Sequence, residues 1–557
     1  MRRLARAALV ALLLPACGAP EPVSGFVRPD AGPLPDAATV PLDAGLDPDA
    51  GVVADAGVAA DAGVGADSGA DPDSGVTPDG GVRPDAGDAG DAGDAGVEDA
   101  GQPATPCLEA AGLGERARYE QLLVCLRDPT ASAAEQQAAR DRFVASVLAG
   151  GGFPIVSGGE VTFFYVAEAA FDAEDDAQAA EDFAPARRQA PLRVAGDFNA
   201  WAPDAGLTLQ AEAQAVFHLT TPLDVATSER WRYKLVAKDG AGQDVWFSDP
   251  LSRRFDFDGN GRISVVRGGT TRGHLELLRQ VQATLLGYPR DVYVWLPRGY
   301  EQGSAALPVL YMHDGNNLFS PDQPLSAPAT WDADEVQEAE LTAGSVRPFI
   351  IVGVPNNARR RDEYTHVPDD TGSGVAGGDG DAYADFLVND LKPRVDARYR
   401  TAPGRATTGV MGSSLGGLIS LYVGLQHPAV FRFVGGMSST LDWGRFGLAN
   451  PTVVERYAQL SSLPSRDVVY YLDSGGGPPS GGCTTLAGSG SDNYCSTVRM
   501  RDTLVAAGID TFPDDPDATP LTPANIDIMH WWTPSAPHNE ASWNARLFRA
   551  FRLFARP

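Results

Sequence analysis

Beyond residue 275, apolar positions gather into short, nearly unbroken runs, separated by longer stretches where they recur every three or four residues. The runs at 291–296, 308–312, 349–354, 406–411, 431–436, 468–473 and 526–532 predict strands buried on both faces. The stretches at 331–342, 383–397, 415–426, 498–507 and 542–554 predict helices. Such alternation implies a mostly parallel sheet with helices on both faces, so residues 275–557 are expected to form an α/β domain.

Upstream the period changes. Short runs at 161–166, 192–196, 216–219, 231–236 and 263–266, divided by turn residues, predict an all-β sandwich over 153–268. Residues 107–152 have helical spacing. Tyr119, Leu122, Leu123 and Leu126 share a face, Phe143, Val144 and Val147 repeat the pattern, and Gly150-Gly151-Gly152 ends the segment. Residues 256–263 match the first half of a calcium-binding EF-hand loop. Arg267 stands where that loop needs a bidentate glutamate, so a turn between strands is expected there rather than a metal site.

Before residue 107 the pattern disappears. Residues 17–106 are built largely from Asp, Ala, Gly and Pro, and Phe26 is their one aromatic residue. Such a segment cannot bury enough surface to offset its ordering entropy, and a disordered tether is expected. Between residues 21 and 106, 16 Asp and 2 Glu face 2 Arg, so −16 of the chain's net charge of −29 sits in the tether. The acidity therefore says little about a substrate, and it argues against a nucleic-acid partner.

Residues 1–16 read as a signal peptide: Arg2, Arg3 and Arg6 precede an apolar run too short to span a bilayer. Leu14-Pro15-Ala16-Cys17 resembles a bacterial lipobox. That resemblance implies cleavage before Cys17, lipidation of its thiol, and an exported protein anchored to a bacterial membrane by lipid alone, facing the periplasm or the cell surface. The other four cysteines fall into close pairs, Cys107 with Cys125 and Cys483 with Cys495. Pairing by proximity is one of three connectivities; each short bridge would add roughly 3 kcal/mol and would persist in an oxidising compartment.

The chemistry centres on residues 408–418. Gly412, Ser414 and Gly416 fit the G-x-S-x-G pattern, lying between the strand at 406–411 and the helix at 415–426. In a nucleophile elbow this turn exposes the serine hydroxyl, and small residues on either side let strand and helix close. The Leu415 N–H, at the helix start, would then face an oxyanion. A base must follow in the chain. Among the seven histidines, His538 comes after the last strand and opens the last helix, which fits the order Ser, acid, His.

Two resemblances sharpen this. Gly196-Asp197-Phe198-Asn199-Ala200-Trp201, Tyr233-Lys234 and Asp249-Pro250 resemble the immunoglobulin-like, glycogen-binding-type module of branching enzymes and enterochelin-type esterases. That likeness implies either a wall of an active site or a glycan-binding surface. Residues 275–557 resemble the esterase family that includes enterochelin esterases, feruloyl esterases, esterase D and the antigen 85 mycolyltransferases. The stretches that carry the likeness are 311–319, 362–365, 391–393, 398–400, 412–417 and 538–543. The family likeness implies an α/β-hydrolase fold and a second oxyanion donor from the backbone near Gly315 and Asn316.

The acid is less regular. The family places a carboxylate a few residues beyond a strand that ends in glycine, and here Gly475 is followed by a longer loop through Cys483 to Cys495. Asp492 returns the chain to the expected place, and Asp473, at the strand end, is the rival. The reading is a serine carboxylic ester hydrolase with a Ser414-His538-Asp triad. It needs no cofactor or metal, and it acts on a carbohydrate-linked acyl ester or a siderophore-type ester. The alternatives are an acyltransferase of the same fold and a non-catalytic surface binding or adhesion protein.

Overall fold

The computed structural model describes residues 107–108, 112–167, 191–223, 231–238, 241–259, 261–320, 323, 329–460, 467–480, 482–483, 490–509 and 528–557. The signal segment, Cys17 and the tether lie outside the described residues. Everything below belongs to one compact unit, Val97–Pro557.

Helices Glu115–Arg127 and Ala133–Ala149 open this unit, and the Cys107–Cys125 disulfide staples the first of them. Ser132 and Glu135 form a capping box at the start of the second helix, satisfying otherwise unpaired N–H groups. The faces read from the sequence, with Tyr119, Leu122, Leu126, Phe143, Val144 and Val147, pack against Phe153, Phe164 and Leu251 of the β region.

That region holds β1 (Ile155–Ser157), β2 (Glu160–Val166), β3 (Arg193–Gly196), β4 (Gln210–Ala211), β5 (Val216–Pro222), β6 (Arg232–Lys238), β7 (Asp244–Phe247), β8 (Arg254–Phe257) and β9 (Arg262–Val265). A four-stranded sheet in the order β1-β2-β5-β4 faces the sheet carrying β3 and β6. Val161, Phe163 and Tyr165 of one sheet and Val194, Tyr233 and Leu235 of the other share a core. Two of the residue pairs noted in the sequence meet inside it: the Tyr233 hydroxyl donates to Asp249 Oδ2 at 2.7 Å, buried. The half-EF-hand stretch spans the connection from β8 to β9, which pair as an antiparallel hairpin.

The second sheet does not end with the β region. β8 pairs with β10 (His274–Ala283), which pairs with β11 (Tyr288–Leu296). Next in sequence come β12 (Val309–His313), β13 (Ile350–Val354), the hairpin of β14 (Asp369–Asp370) and β15 (Val375–Ala376), β16 (Thr408–Ser413), β17 (Phe433–Met437), β18 (Val469–Ser474) and β19 (Ile528–Trp532). One 13-stranded sheet thus runs in the order β19-β18-β17-β16-β12-β13-β11-β10-β8-β9-β6-β3, with β7 beside β6. The boundary expected between residues 268 and 275 is no break in the sheet, because β10 is hydrogen-bonded on both edges. The six strands from β13 to β19 are parallel, whereas β11 is antiparallel to β13.

Alternation explains the apolar runs. Val309 and Tyr311 of β12 face one core with Leu418, Ile419 and Leu421 of helix Leu415–Gln426, while Leu310 and Met312 face another with Leu547, Ala550 and Phe551 of helix Glu540–Phe554. Both faces are covered, so successive residues are buried. The single helix expected at 383–397 is three joined segments, Gly380–Asp385, a π turn Phe386–Leu391 and Lys392–Arg398. Pro393 has no N–H to return to the preceding turn, which widens there. Among the described residues, no helix is long and apolar enough to cross a membrane.

Candidate active site

β16 lies inside the parallel half of the sheet and hands over to helix Leu415–Gln426 at Ser414, whose backbone sits at φ 55°, ψ −123°. A non-glycine residue held there costs on the order of 1–3 kcal/mol. The neighbours enforce it: the Ser414 N–H donates to Met437 O at 2.9 Å, and the Thr440 N–H donates to Ser414 O at 3.0 Å. A Cβ at Gly412 would lie 2.8 Å from the carbonyl carbon of Gly416, so only glycine lets strand and helix approach this closely. Ser414 Oγ lies 3.2 Å from Thr440 Oγ1. Leu415, as the first helical residue, has no intrahelical acceptor for its N–H.

The adjacent strand β12 ends at His313, and the chain turns through Asp314, at φ 58°, into a short 3-10 segment, Gly315–Asn317. A Cβ added at Gly416 would lie 3.1 Å from Asp314 Oδ2, which places this turn against the start of the elbow helix. Burial works against the Asp314 charge, but Arg360, at 2.7 and 3.0 Å, outweighs it and holds the carboxyl below its usual range. Burial pushes His313 down to about 3, so this histidine is neutral, its Nδ1 2.9 Å from the Tyr383 hydroxyl. Asn317 Nδ2 donates to Glu540 Oε1 at 3.1 Å, tying the turn to the final helix.

His538 lies just before that helix, which Asn539 caps by accepting the Ser542 N–H at 3.0 Å. The imidazole stands edge-on to Trp543, and its Nδ1 is 2.5 Å from Asp492 Oδ1. The His538 side chain is 23 % exposed and that of Asp492 1 %. Asp492 follows the loop that leaves β18, and helix Tyr494–Ala506 starts two residues later. Cys495, in its first turn, is bonded to Cys483.

Asp473 has different surroundings. It is buried at the end of β18, with Arg546 Nε at 3.1 Å from its Oδ2 and the Tyr471 hydroxyl donating at 2.8 Å. Burial raises its carboxyl above the usual range despite the guanidinium. The structure therefore brings Asp492 to His538 and sets Asp473 against Arg546. Four polar residues around this centre were not singled out in the sequence: Ser438, Thr440, Asn493 and Arg546. The nearest signal was Ser438-Ser439-Thr440, a polar cluster directly after the apolar strand β17.

One cluster elsewhere has metal-ligating chemistry. His274, Glu276 and Glu301 bring ligand atoms within 4.8 Å of one another. Arg253 pairs with Glu276 at 2.8 Å and Arg254 with Glu301 at 2.5 Å. Burial opposes the Glu276 charge, yet Arg253, His274 and Arg254 hold its carboxyl down at about 2. The arginines already neutralise both acids, so the group fits an internal ion-pair network better than a cation site.

Residues 283–554 match the family described as "Putative esterase". The chain is 26 % identical over 164 residues to the siderophore triacetylfusarinine C esterase of Aspergillus fumigatus, a stretch covering 28 % of this chain and 53 % of the relative. It is 27 % identical over 177 residues to the ferri-bacillibactin esterase BesA of Bacillus subtilis, covering 29 % and 56 %. The match spans about half the length of each of these relatives. Among solved structures, the enterobactin esterase of Shigella flexneri is 15 % identical, with a TM-score of 0.36 over 71 % of this chain and 92 % of that one.

Proposed function

We propose that this protein is a serine ester hydrolase. Ser414 Oγ leaves Thr440, passes its proton to His538 Nε2 and bonds to the acyl carbon. The carbonyl π electrons move to oxygen, where the Leu415 N–H and the Gly315–Asn316 backbone receive the negative charge. His538 then returns the proton to the departing alcohol, and water repeats the sequence on the acyl-enzyme. Asp492 fixes the imidazole tautomer and steadies the imidazolium. The observation that carries this reading is the 2.5 Å contact of His538 Nδ1 with Asp492 Oδ1, together with the serine held at positive φ between strand and helix.

For the substrate we favour a siderophore-type ester, since two of the three curated relatives carry siderophores in their names, the third being an uncharacterized protein. An aromatic pair close in sequence to the acid fits such a ligand: exposed Trp532 lies against half-buried Tyr494, with ring centroids 4.8 Å apart and planes tilted by 55°, and Tyr494 stands two residues after Asp492. Export through lipidation at Cys17 belongs to the same proposal and would keep the enzyme outside the cytoplasm. The test is hydrolysis of a chromogenic short-chain ester and of ferric and iron-free siderophore esters by the purified protein. Activity should fall by about 10⁵ or more in Ser414→Ala. Unchanged turnover in that variant would sink the proposal, and turnover of feruloylated sugars in preference to siderophores would move the substrate class.

A further inference from the structure

Behind Asp492 lies a set of hydrogen bonds whose directions are forced. Ser438, at φ 45° just past β17, places its Oγ 2.7 Å from Asp492 Oδ2, 2.9 Å from Arg546 Nη2 and 3.1 Å from Trp543 Nε1. A guanidinium and an indole N–H can only donate. They take both acceptor positions of the hydroxyl, so its single proton must point at Asp492. The Gly475 N–H donates to the same carboxylate oxygen, and Arg546 Nη2 stands 3.7 Å from it. Asp492 Oδ2 thus faces donors alone, and Oδ1 is left for His538.

Arg546 also binds Asp473, at 3.1 and 3.2 Å, so one buried cation serves two carboxylates, the first directly and the second through Ser438. We infer that Ser438 and Arg546 are positioning residues that hold the acid aimed at His538, with Asp473 as the counter-charge that keeps Arg546 in place. This inference rests on the triad reading above. It gives Asp473 a role in the site other than that of the acid.

The charged and titratable groups around the carboxylate pair are Arg546 and His538 from the C-terminal part and Asp473 and Tyr471 from β18. Arg549 acts on Tyr471 from the next turn of the last helix. Glu540, at that helix's start, is engaged by Asn317.

Removing the Ser438 donor frees the Asp492 charge to act on His538, so the imidazolium becomes easier to form. Removing the Asp473 charge leaves the Arg546 cation uncompensated, which opposes imidazolium formation. Ser438→Ala should therefore move the acid limb of kcat/KM to higher pH, and, because Asp492 is then less firmly aimed at His538, it should lower kcat roughly 10- to 100-fold, the range for one hydrogen bond to a charged group. Asp473→Asn should move that limb to lower pH. The double variant Asp473→Asn/Arg546→Met, which removes both buried charges together, should lie between them. Should Ser438→Ala not fold, Ser438→Gly suits the positive φ and carries the same comparison.

An acid limb that stays put in the folded Ser438 variant, with kcat unchanged, would overturn the inference while leaving the triad intact. The triad itself is tested separately: Asp492→Asn with near-parent activity would remove the premise. A shift of the limb in the same direction for Ser438→Ala and Asp473→Asn would also overturn it, because a merely structural disturbance has no reason to give opposite signs.

Discussion

Two buried charge clusters at different places in one sheet are made from nearly the same residues. At the ends of β17 and β18, one histidine, two aspartates and one arginine meet: His538, Asp492, Asp473 and Arg546. Near β8 and β10, one histidine, two glutamates and two arginines meet: His274, Glu276, Glu301, Arg253 and Arg254. In the second cluster each acid has its own arginine and the histidine is sealed, 1 % exposed. In the first, a single arginine is shared, one carboxylate oxygen faces the histidine, and that histidine reaches solvent. The difference is one missing cation and one open side. A cluster in which every charge is matched welds strands together, whereas a cluster one cation short leaves a carboxylate able to stabilise a transient positive charge on its neighbour.

Variants can break this contrast. The largest effect is expected from Asp492→Asn, which should cost kcat about 10⁴, as loss of the orienting acid does in serine proteases. Steady-state kinetics on an ester substrate, with circular dichroism to confirm folding, checks it; a loss under tenfold would erase the distinction between the clusters. Glu276→Gln should act on stability instead. Leaving Arg253 buried without its partner should lower unfolding free energy by about 3–5 kcal/mol, with kcat retained wherever the protein is folded. The sign with pH follows from the depressed carboxyl. Its contribution is full above the ordinary value of 4.5 and fades as pH falls towards about 2, so urea denaturation of the variant should lose less stability across that window than the parent.

The smallest effect concerns the bridge beside the acid. Replacing Cys483 and Cys495 together with serine should reduce kcat only a few-fold, through looser placement of Asp492, and the matching change at Cys107 and Cys125 should leave kcat alone. Equal effects of the two pairs on kcat would mean that the Cys483–Cys495 bridge does nothing particular for the site.

Much of this was legible from residue pattern, for reasons that can be named. The elbow helix is apolar almost all round because it is buried almost all round, and the glycines at 412 and 416 mark a close approach that a Cβ would block. His538 stood out because the last strand and last helix bracket it. The choice between Asp492 and Asp473 was not decided by pattern. Both precede or end regular elements, and only the long-range neighbours, His538 for one and Arg546 for the other, separate them. Ser438 was invisible for a similar reason: its hydroxyl matters because of partners 54 and 108 residues away in the chain. The joined sheet was equally hidden, since β8 and β10 pair through only two residue positions, Leu275 with Phe255 and Glu276 with Arg254.

That short seam has a practical meaning for anyone wishing to trim the protein. Cutting the chain at residue 275 would strip β8 from β10 and leave an open strand edge, the sort of template on which proteins stick to copies of themselves. It would also take Phe255 out of the core it shares with Leu275 and Trp295, and take Arg254 away from Glu301. The smallest well-behaved fragment should therefore begin near residue 107, carrying its β region as a permanent edge guard.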